Sequence, residues 1–409
     1  MFLETLMFHF QNQKQLSLSD LCNDLAINCK VRLKKQSLDE RFNSKALLFM
    51  KNLMEKAIVK FVRNDTAFNF FNSFSSVKIK DSTSFDLPES MKSLYPGNGG
   101  GASNSGMNMQ FEYDLKTNDI IDLSIYSKKE NDYKNAHQTL SDVRKNDLII
   151  RDLGYIGLEL LEKITKLKAF FLNRIKPQTT IYEKVKGKYI RISLKSISKK
   201  LRKTGMPYLE KKVYIGERKY LPCRMVFILI PDDKKKEREK RQMRKARRRG
   251  SNKIDNRVLE AIDLNIFITN TSQKQIPPSE VYNVYKLRWQ IELIFKTWKQ
   301  ISQINLLKQA KAYRIMVIIY AQLLWIIINW KIINLFMVHY FKLKRNLLSI
   351  YKTYKTLNLF RPQLKRSIRN KNQLCSIIEN VGIIFSNNHF REKRKGGYLS
   401  TDIIATFIS

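Results

Sequence analysis

Cysteine and histidine are scarce, four of each in 409 residues. Cys22, Cys29, Cys223 and Cys375 form no C-x-x-C pair, and the histidines are too scattered for a zinc pattern. No disulfide framework is expected, and the thiols suit a reduced, cytosolic compartment. Acidic residues are outnumbered. Asp plus Glu total 36 against 76 Lys plus Arg, a formal charge of +40. Such an excess calls for a polyanionic partner. The Gly- and Ser-rich loop from Pro96 to Gly106 lacks the Gly-Lys-Ser/Thr ending of a phosphate cradle and reads as a flexible connection. The N-terminus lacks a basic region followed by a clean apolar run, so no signal peptide is evident. Ile315 to Val338 is long enough for a membrane span. It carries Gln322, Asn329, Lys331 and Asn334. With the net charge, these favour a buried core helix and no membrane partner.

What is present describes a folded chain. Hydrophobic residues are 43% and aromatics 11%, enough for a sizeable core in two or three domains. The basic residues run along the whole chain, which suits a long nucleic-acid contact. On charge alone, a ribosomal-type RNA binder or an anionic-membrane binder is also compatible.

Residues 1–70 read as a helical DNA-binding region. A segment from Ser19 to Ala26 and a turn at Asn28 to Lys30 precede a basic helix running from Lys34 to Phe61. This pattern fits a helix-turn-helix or an ordinary helical hairpin. Val77 to Asp81 alternates like a strand ending on an acid. Met107 to Leu115 and Ile120 to Tyr126 form a strand pair, and a helix spans Tyr133 to Lys145. Asp147 to Asp152 is a short apolar strand, again ending on an acid. A helix follows from Ile156 to Leu167. Ala169 to Pro231 reads as strand throughout, and Lys234 to Gly250 as an exposed basic helix. Ala261 to Thr269 is a further strand, and after Lys299 the chain is helical to Phe341. The expected regions are 1–70; a core of 71–168 with 255–345; a β-rich insertion, 169–254; and a helical, basic C-terminal region, 346–409.

The most informative stretch is Tyr285 to Lys299, Tyr-Lys-Leu-Arg-Trp-Gln-Ile-Glu-Leu-Ile-Phe-Lys-Thr-Trp-Lys. It follows Pro277-Pro278-Ser279, with Ser279 a plausible N-cap. As one uninterrupted helix it places Tyr285, Arg288, Glu292 and Lys299 within about 60°, beside Lys296 and Trp289. Leu287, Ile291, Ile294, Phe295 and Trp298 form a separate apolar sector. The bland reading of Glu292 is a pair of i,i+4 contacts with Arg288 and Lys296, each contributing about 0.2–0.5 kcal/mol. The sharper reading is a metal-binding carboxylate flanked by phosphate-binding groups. Asp81 and Asp152, at two strand ends, are its partners; a strand-end turn is the plain alternative for each. The order of strands and helices is that of an α/β, ribonuclease H-like core. Converging carboxylates repel unless cations neutralise them. Hard oxygen ligands select Mg²⁺, with Mn²⁺ as substitute.

These residues resemble a known family. Tyr285, Arg288, Glu292 and Lys299 match the Tyr-(2)-Arg-(3)-Glu-(6)-Lys signature of bacterial insertion-sequence transposases of the DDE superfamily, the insertion sequence family four type. Asp81-Ser82-Thr83, Asp152-Leu153-Gly154-Tyr155 and Ile268-Thr269-Asn270 resemble that group's other motifs. The resemblance runs from about Leu16 to the C-terminal basic segment. It implies a ribonuclease H-like catalytic core with a β-rich insertion, flanked by helical N- and C-terminal regions. It implies a cut-and-paste DNA transposase, nucleoid-associated in a bacterial cytoplasm, binding terminal inverted repeats and target DNA as a homodimer. Asp81, Asp152 and Glu292 would be metal ligands and catalytic residues. Tyr285, Arg288, Lys296 and Lys299 would contact DNA. The sequence departs from the family in two places. In relatives an insertion Trp can hold a flipped base, whereas Trp289, Trp298, Trp325 and Trp330 all lie in or after the signature; Phe170, Phe171, Tyr182, Tyr189 or Tyr208 would substitute, or the base-holding step differs. Relatives often carry additional helical residues ahead of the part beginning near Phe2, so impaired end recognition or a truncated copy is an expectation. Two other classes stay open: a catalytically inactive transposase-derived DNA-binding protein, and a stand-alone ribonuclease H-like nuclease.

Overall fold

The computed structural model describes residues 2–8, 17–58, 71–99, 103–392, 400–405 and 407. The chain divides into two compact units. A sheet unit comprises Asn72–Lys80 and Asp132–Arg288; a helical unit comprises Met1–Phe71, Asp81–Asn131 and Trp289–Ser409. The expected insertion, 169–254, lies wholly in the sheet unit. Among the described residues the strands are β1 (Ser76–Asp86), β2 (Gly106–Asp114), β3 (Ile120–Ser127), β4 (Asp147–Arg151), β5 (Phe170–Arg174), β6 (Ile181–Val185), β7 (Lys188–Arg191), β8 (Leu209–Ile215), β9 (Leu221–Leu229) and β10 (Leu264–Thr269).

In the sheet unit the order is β1-β4-β5-β10-β9-β8-β6-β7. β4 runs parallel to β1 and to β5, whereas β10 is antiparallel to β5 and β9. Leu148, Ile149 and Ile150 of β4 are all buried, as a central parallel strand covered on both faces requires. Lys78 of β1 is buried too, and its ammonium meets the Asp147 carboxylate at 2.5 Å. That pair favours the β1–β4 register, because a one-residue slip would break a buried ion pair. Leu160, Leu161 and Ile164 of the Leu158–Lys166 helix join Ile149, Phe171, Met225 and Ile268 in one apolar core.

The strand reading of 169–231 is corrected in one place, where Leu194–Thr204 is a helix. Ser193 caps it, its Oγ accepting from the Ser196 N–H at 3.3 Å, and Gly205 ends it at φ 65°. Leu194, Ile197 and Leu201 are its buried face. That 3, 4 spacing was readable but lay among strand-like neighbours. A second correction concerns β1, which continues five residues beyond Asp81 to Asp86. Asp81 is therefore inside a strand, not at its end.

In the helical unit, Leu18–Cys29 carries a capping box between Ser17 and Asp20. The expected continuous basic helix breaks in two. Lys35–Glu40 stops, and Asn43 caps a new helix, Ser44–Ala57, by accepting from the Ala46 N–H at 3.0 Å. The expected continuation from Ala57 to Phe61 lies partly outside the described residues. The helix expected to run on from Lys299 is interrupted before Ala312–Lys344, a 33-residue helix. By length and apolarity that helix could cross a membrane, but most of its apolar stretch is buried within the protein. Two of its polar side chains have internal partners, whereas Asn329 is buried with no hydrogen-bond partner among the described residues. The Trp330 Nε1–H donates to the Asn118 carbonyl at 2.7 Å, and Asn334 donates to the Thr117 carbonyl at 3.1 Å. Both tie the helix to the β2–β3 turn.

Candidate functional site

The signature segment is not one helix. Val281–Lys286 is a short helix preceded by Glu280, with no side-chain cap from Ser279. A turn at Leu287–Arg288 separates it from a second helix, Trp289–Thr297, and a wide π turn, Trp298–Ser302, follows. The unit boundary falls between Arg288 and Trp289. The single 100° azimuth expected for Tyr285, Arg288, Glu292 and Lys299 therefore does not hold, since a turn and a π segment each reset the angle. The apolar residues of the segment, Leu287, Ile291, Ile294, Phe295 and Trp298, are nevertheless all buried. Tyr285 and Arg288, expected on an open face, are only 5% and 7% exposed.

Within the sheet unit, chain positions far apart meet. Asp152 follows β4 and opens the Leu153–Tyr155 turn, but its side chain makes no capping bond there. Instead the half-buried carboxylate accepts from the Tyr285 phenol at 3.2 Å. Tyr285 packs on Phe267 of β10 at a ring separation of 5.2 Å, and the Arg288 guanidinium lies 5.9 Å from the Tyr285 ring centre. Burial, then the Asp152 charge, push the phenol's pKa up; Arg288 and Arg174 pull the other way. Arg174, at the end of β5, was missed in the sequence. Its signal is topological: β5 pairs with β4, so its last residue lies close to the one after β4.

Within the helical unit, the Asp81 carboxylate is half-buried and accepts from the Ser82 N–H at 2.8 Å. Three residues further along β1, the Ser84 carbonyl accepts from the Lys299 ammonium at 3.1 Å. Burial first, and then the nearby Lys128 charge, hold the Lys299 pKa below its ordinary value. Lys128 is ion-paired with Asp86 at 2.7 Å. It is the second residue that the sequence reading missed. Glu292 and Lys296 are exposed, one helical turn apart.

Among the described residues, no group of three or more His, Cys, Asp or Glu side chains is gathered as a metal-binding cluster. The donor chemistry nevertheless fits a hard cation. Asp152 accepts one neutral hydrogen bond, which leaves most of its lone pairs for ligation.

Some motif residues prove to be structural. Asn270 accepts from the Phe171 N–H at 2.8 Å and donates to the Ala169 carbonyl at 2.9 Å, pinning β10 to the start of β5. Of the residues expected to replace the insertion Trp, Phe171 is buried and Phe170 packs edge-on against Phe74. Tyr189 is stacked on Tyr220 at 4.0 Å, and Tyr182 meets Tyr220 edge-on.

Residues 72–325 match the family model of the transposase DDE domain, and the chain belongs to that family. Its relatives are insertion-sequence transposases. It is 30% identical over 327 residues to the transposase of insertion sequence element IS231B of Bacillus thuringiensis subsp. berliner, covering 76% of this chain and 68% of that one. It is 32% identical over 321 residues to the IS1151 transposase of Clostridium perfringens, covering 74% and 67%. The cryo-EM structure of the piggyBac transposase synaptic complex with hairpin DNA aligns over 98% of this chain and 77% of that chain. It does so at 12% identity and a TM-score of 0.42, a likeness too slight to assign a fold.

Proposed function

We propose that the chain is a cut-and-paste DNA transposase of the family four type, built on a ribonuclease H-like core. It nicks the terminal inverted repeats of its element and joins the freed ends to target DNA. The observation that carries this is the contact between Asp152 and Tyr285 at 3.2 Å. It joins the second motif aspartate to the first signature residue across 133 positions, within the span that matches the transposase domain.

Asp81, Asp152 and Glu292 would hold Mg²⁺, or Mn²⁺ in its place. Bound there, the cation supplies charge stabilisation and water activation at a phosphodiester. The remaining work belongs to the protein. Tyr285 donates to the Asp152 carboxylate and fixes its orientation. Arg288 offers a planar fork to a phosphate, and Lys296 and Lys299 offer point charges. Double-stranded DNA is the partner, the active form is a homodimer on that DNA, and no membrane is involved. The compartment is a bacterial cytoplasm.

The test is incubation with Mg²⁺ and a duplex ending in the inverted repeat that flanks the gene. Nicking at the repeat end followed by strand joining supports the proposal. Binding without cleavage would point to an inactive DNA-binding derivative. Cleavage without joining would point to a stand-alone nuclease.

A further inference from the structure

The helix Asp232–Arg247 has no buried residue. It contributes nothing to the core, so packing does not explain its composition. Lys236, Lys240, Arg244 and Arg247 follow at intervals of four, four and three residues, which puts them within about 80° of one another on the helix. All four are exposed. Among the described residues, none is paired with any of them. Like charges at i,i+4 destabilise a helix by a few tenths of a kcal/mol each. Arg244 and Arg247 gain from the C-terminal end of the helix dipole, but Lys236 and Lys240 gain nothing there, and the row as a whole is most favourable against a polyanion.

The helix is also held in place. The guanidinium of Arg238, on the opposite face, donates to the Ile262 carbonyl at 3.2 Å, the Leu264 carbonyl at 2.8 Å and Asn265 Oδ1 at 2.8 Å. Asp232, in the first turn, pairs with Arg202 at 3.2 Å, and Arg202 also bonds Asp263. A merely solvated charge run needs no such anchoring. The four cations span about 16 Å at 1.5 Å per residue. Duplex DNA presents one phosphate charge per ~1.7 Å of axis, so the row has phosphates to meet along its full length.

We propose that this row is a sequence-independent docking strip for the backbone of duplex DNA, additional to the carboxylate site. It rests on the transposase reading for its biological use but not for its physics. Flexible Lys and Arg contacts to phosphate carry no base information, so the strip suits DNA of any sequence, such as a target duplex.

The experiment measures binding of the full chain to a 30-base-pair duplex without inverted repeats, across a salt series. It compares wild type with the fourfold variant Lys236→Gln, Lys240→Gln, Arg244→Gln, Arg247→Gln. A control carries the same loss of charge elsewhere: Lys195→Gln, Lys199→Gln, Lys200→Gln, Lys203→Gln. At ~0.9 per phosphate contact, the slope of log affinity against log salt should be shallower by about 3–4 in the first variant. The control should keep the wild-type slope. Equal slopes in wild type and the first variant, or equal losses in both variants, would overturn the proposal. So would loss of binding to phosphatidylserine vesicles with DNA binding intact. End nicking and joining are read on the same proteins. A wild type that transposes while the first variant keeps its slope sinks only this inference. A wild type that loses the slope on substitution but never cleaves sinks only the transposase reading.

Discussion

Replacing Lys299 with Met should leave the fold intact and cripple strand transfer. The substitution keeps the aliphatic stem and removes the ammonium. In the free protein that ammonium makes one hydrogen bond, to the Ser84 carbonyl at 3.1 Å. A charged hydrogen bond contributes about 1.5–3 kcal/mol, and this one belongs at the low end because Lys299 is partly exposed. Opposing it are partial burial and repulsion from Lys128, which together hold the Lys299 pKa below its ordinary value. For a base, a lowered pKa means that the unfolded chain binds the proton more readily. The charge therefore costs stability at neutral pH, and the cost is relieved as pH rises toward the lysine range. The two contributions oppose each other, so Lys299→Met should cost less than the hydrogen bond alone, under about 1.5 kcal/mol, a few degrees in Tm at most. In the proposed DNA complex the balance would differ, because a phosphate beside Lys299 would offset the repulsion from Lys128. Loss of a contact of about 1–3 kcal/mol slows joining by roughly 5- to 150-fold. The assay is strand transfer from pre-cleaved ends, with urea denaturation alongside. Equal transfer rates would refute the phosphate role. A loss of stability above about 2 kcal/mol would show that Lys299 serves the fold.

Asn270→Ala removes bonds to two backbone groups and should cost about 1–3 kcal/mol, read as a lower urea midpoint; an unchanged midpoint would contradict the pinning role. Gly382→Ala places a methyl 2.5 Å from the Phe336 ring, so it should destabilise by about 1–3 kcal/mol, with Phe336→Leu recovering part of the loss. The raised Tyr285 pKa means that the native state keeps its proton where the unfolded chain loses it, so its contribution to stability falls as pH rises past about 10. Tyr285→Phe should flatten that decline by up to about 1.4 kcal/mol per pH unit, and an unchanged alkaline profile would count against the assignment.

Much of the fold was legible because burial writes periodicity into sequence. The continuous apolar run of β4, the β2–β3 pair and the apolar sector of Ile291, Ile294 and Phe295 were all read from spacing. The polar residues of the Ala312–Lys344 helix correctly marked it as internal. What was misread depended on backbone geometry that side-chain patterns do not encode. No Gly or Pro announces the turn at Leu287–Arg288 or the π segment at Trp298–Ser302. The wheel drawn through them therefore placed Tyr285 and Arg288 on an open face, although both are buried. The extension of β1 beyond Asp81 was hidden by the polar run Asp81-Ser82-Thr83-Ser84. Of the candidate site, the second aspartate and the signature tyrosine were each singled out, but the hydrogen bond between them was not expected. Arg174 and Lys128 emerge only once strand pairing is known.

In the proposed mechanism three carboxylates carry metal-dependent chemistry while the cations carry affinity. The direct measurement is nicking of an inverted-repeat end in Mg²⁺ by wild type, Asp81→Asn, Asp152→Asn and Glu292→Gln, with DNA affinity measured on the same four proteins. Wild type should cleave only with the cation present, and each variant should lose cleavage while binding DNA as tightly as wild type. Near wild-type cleavage by any one variant, or wild-type cleavage in EDTA, would rule out a three-carboxylate metal site.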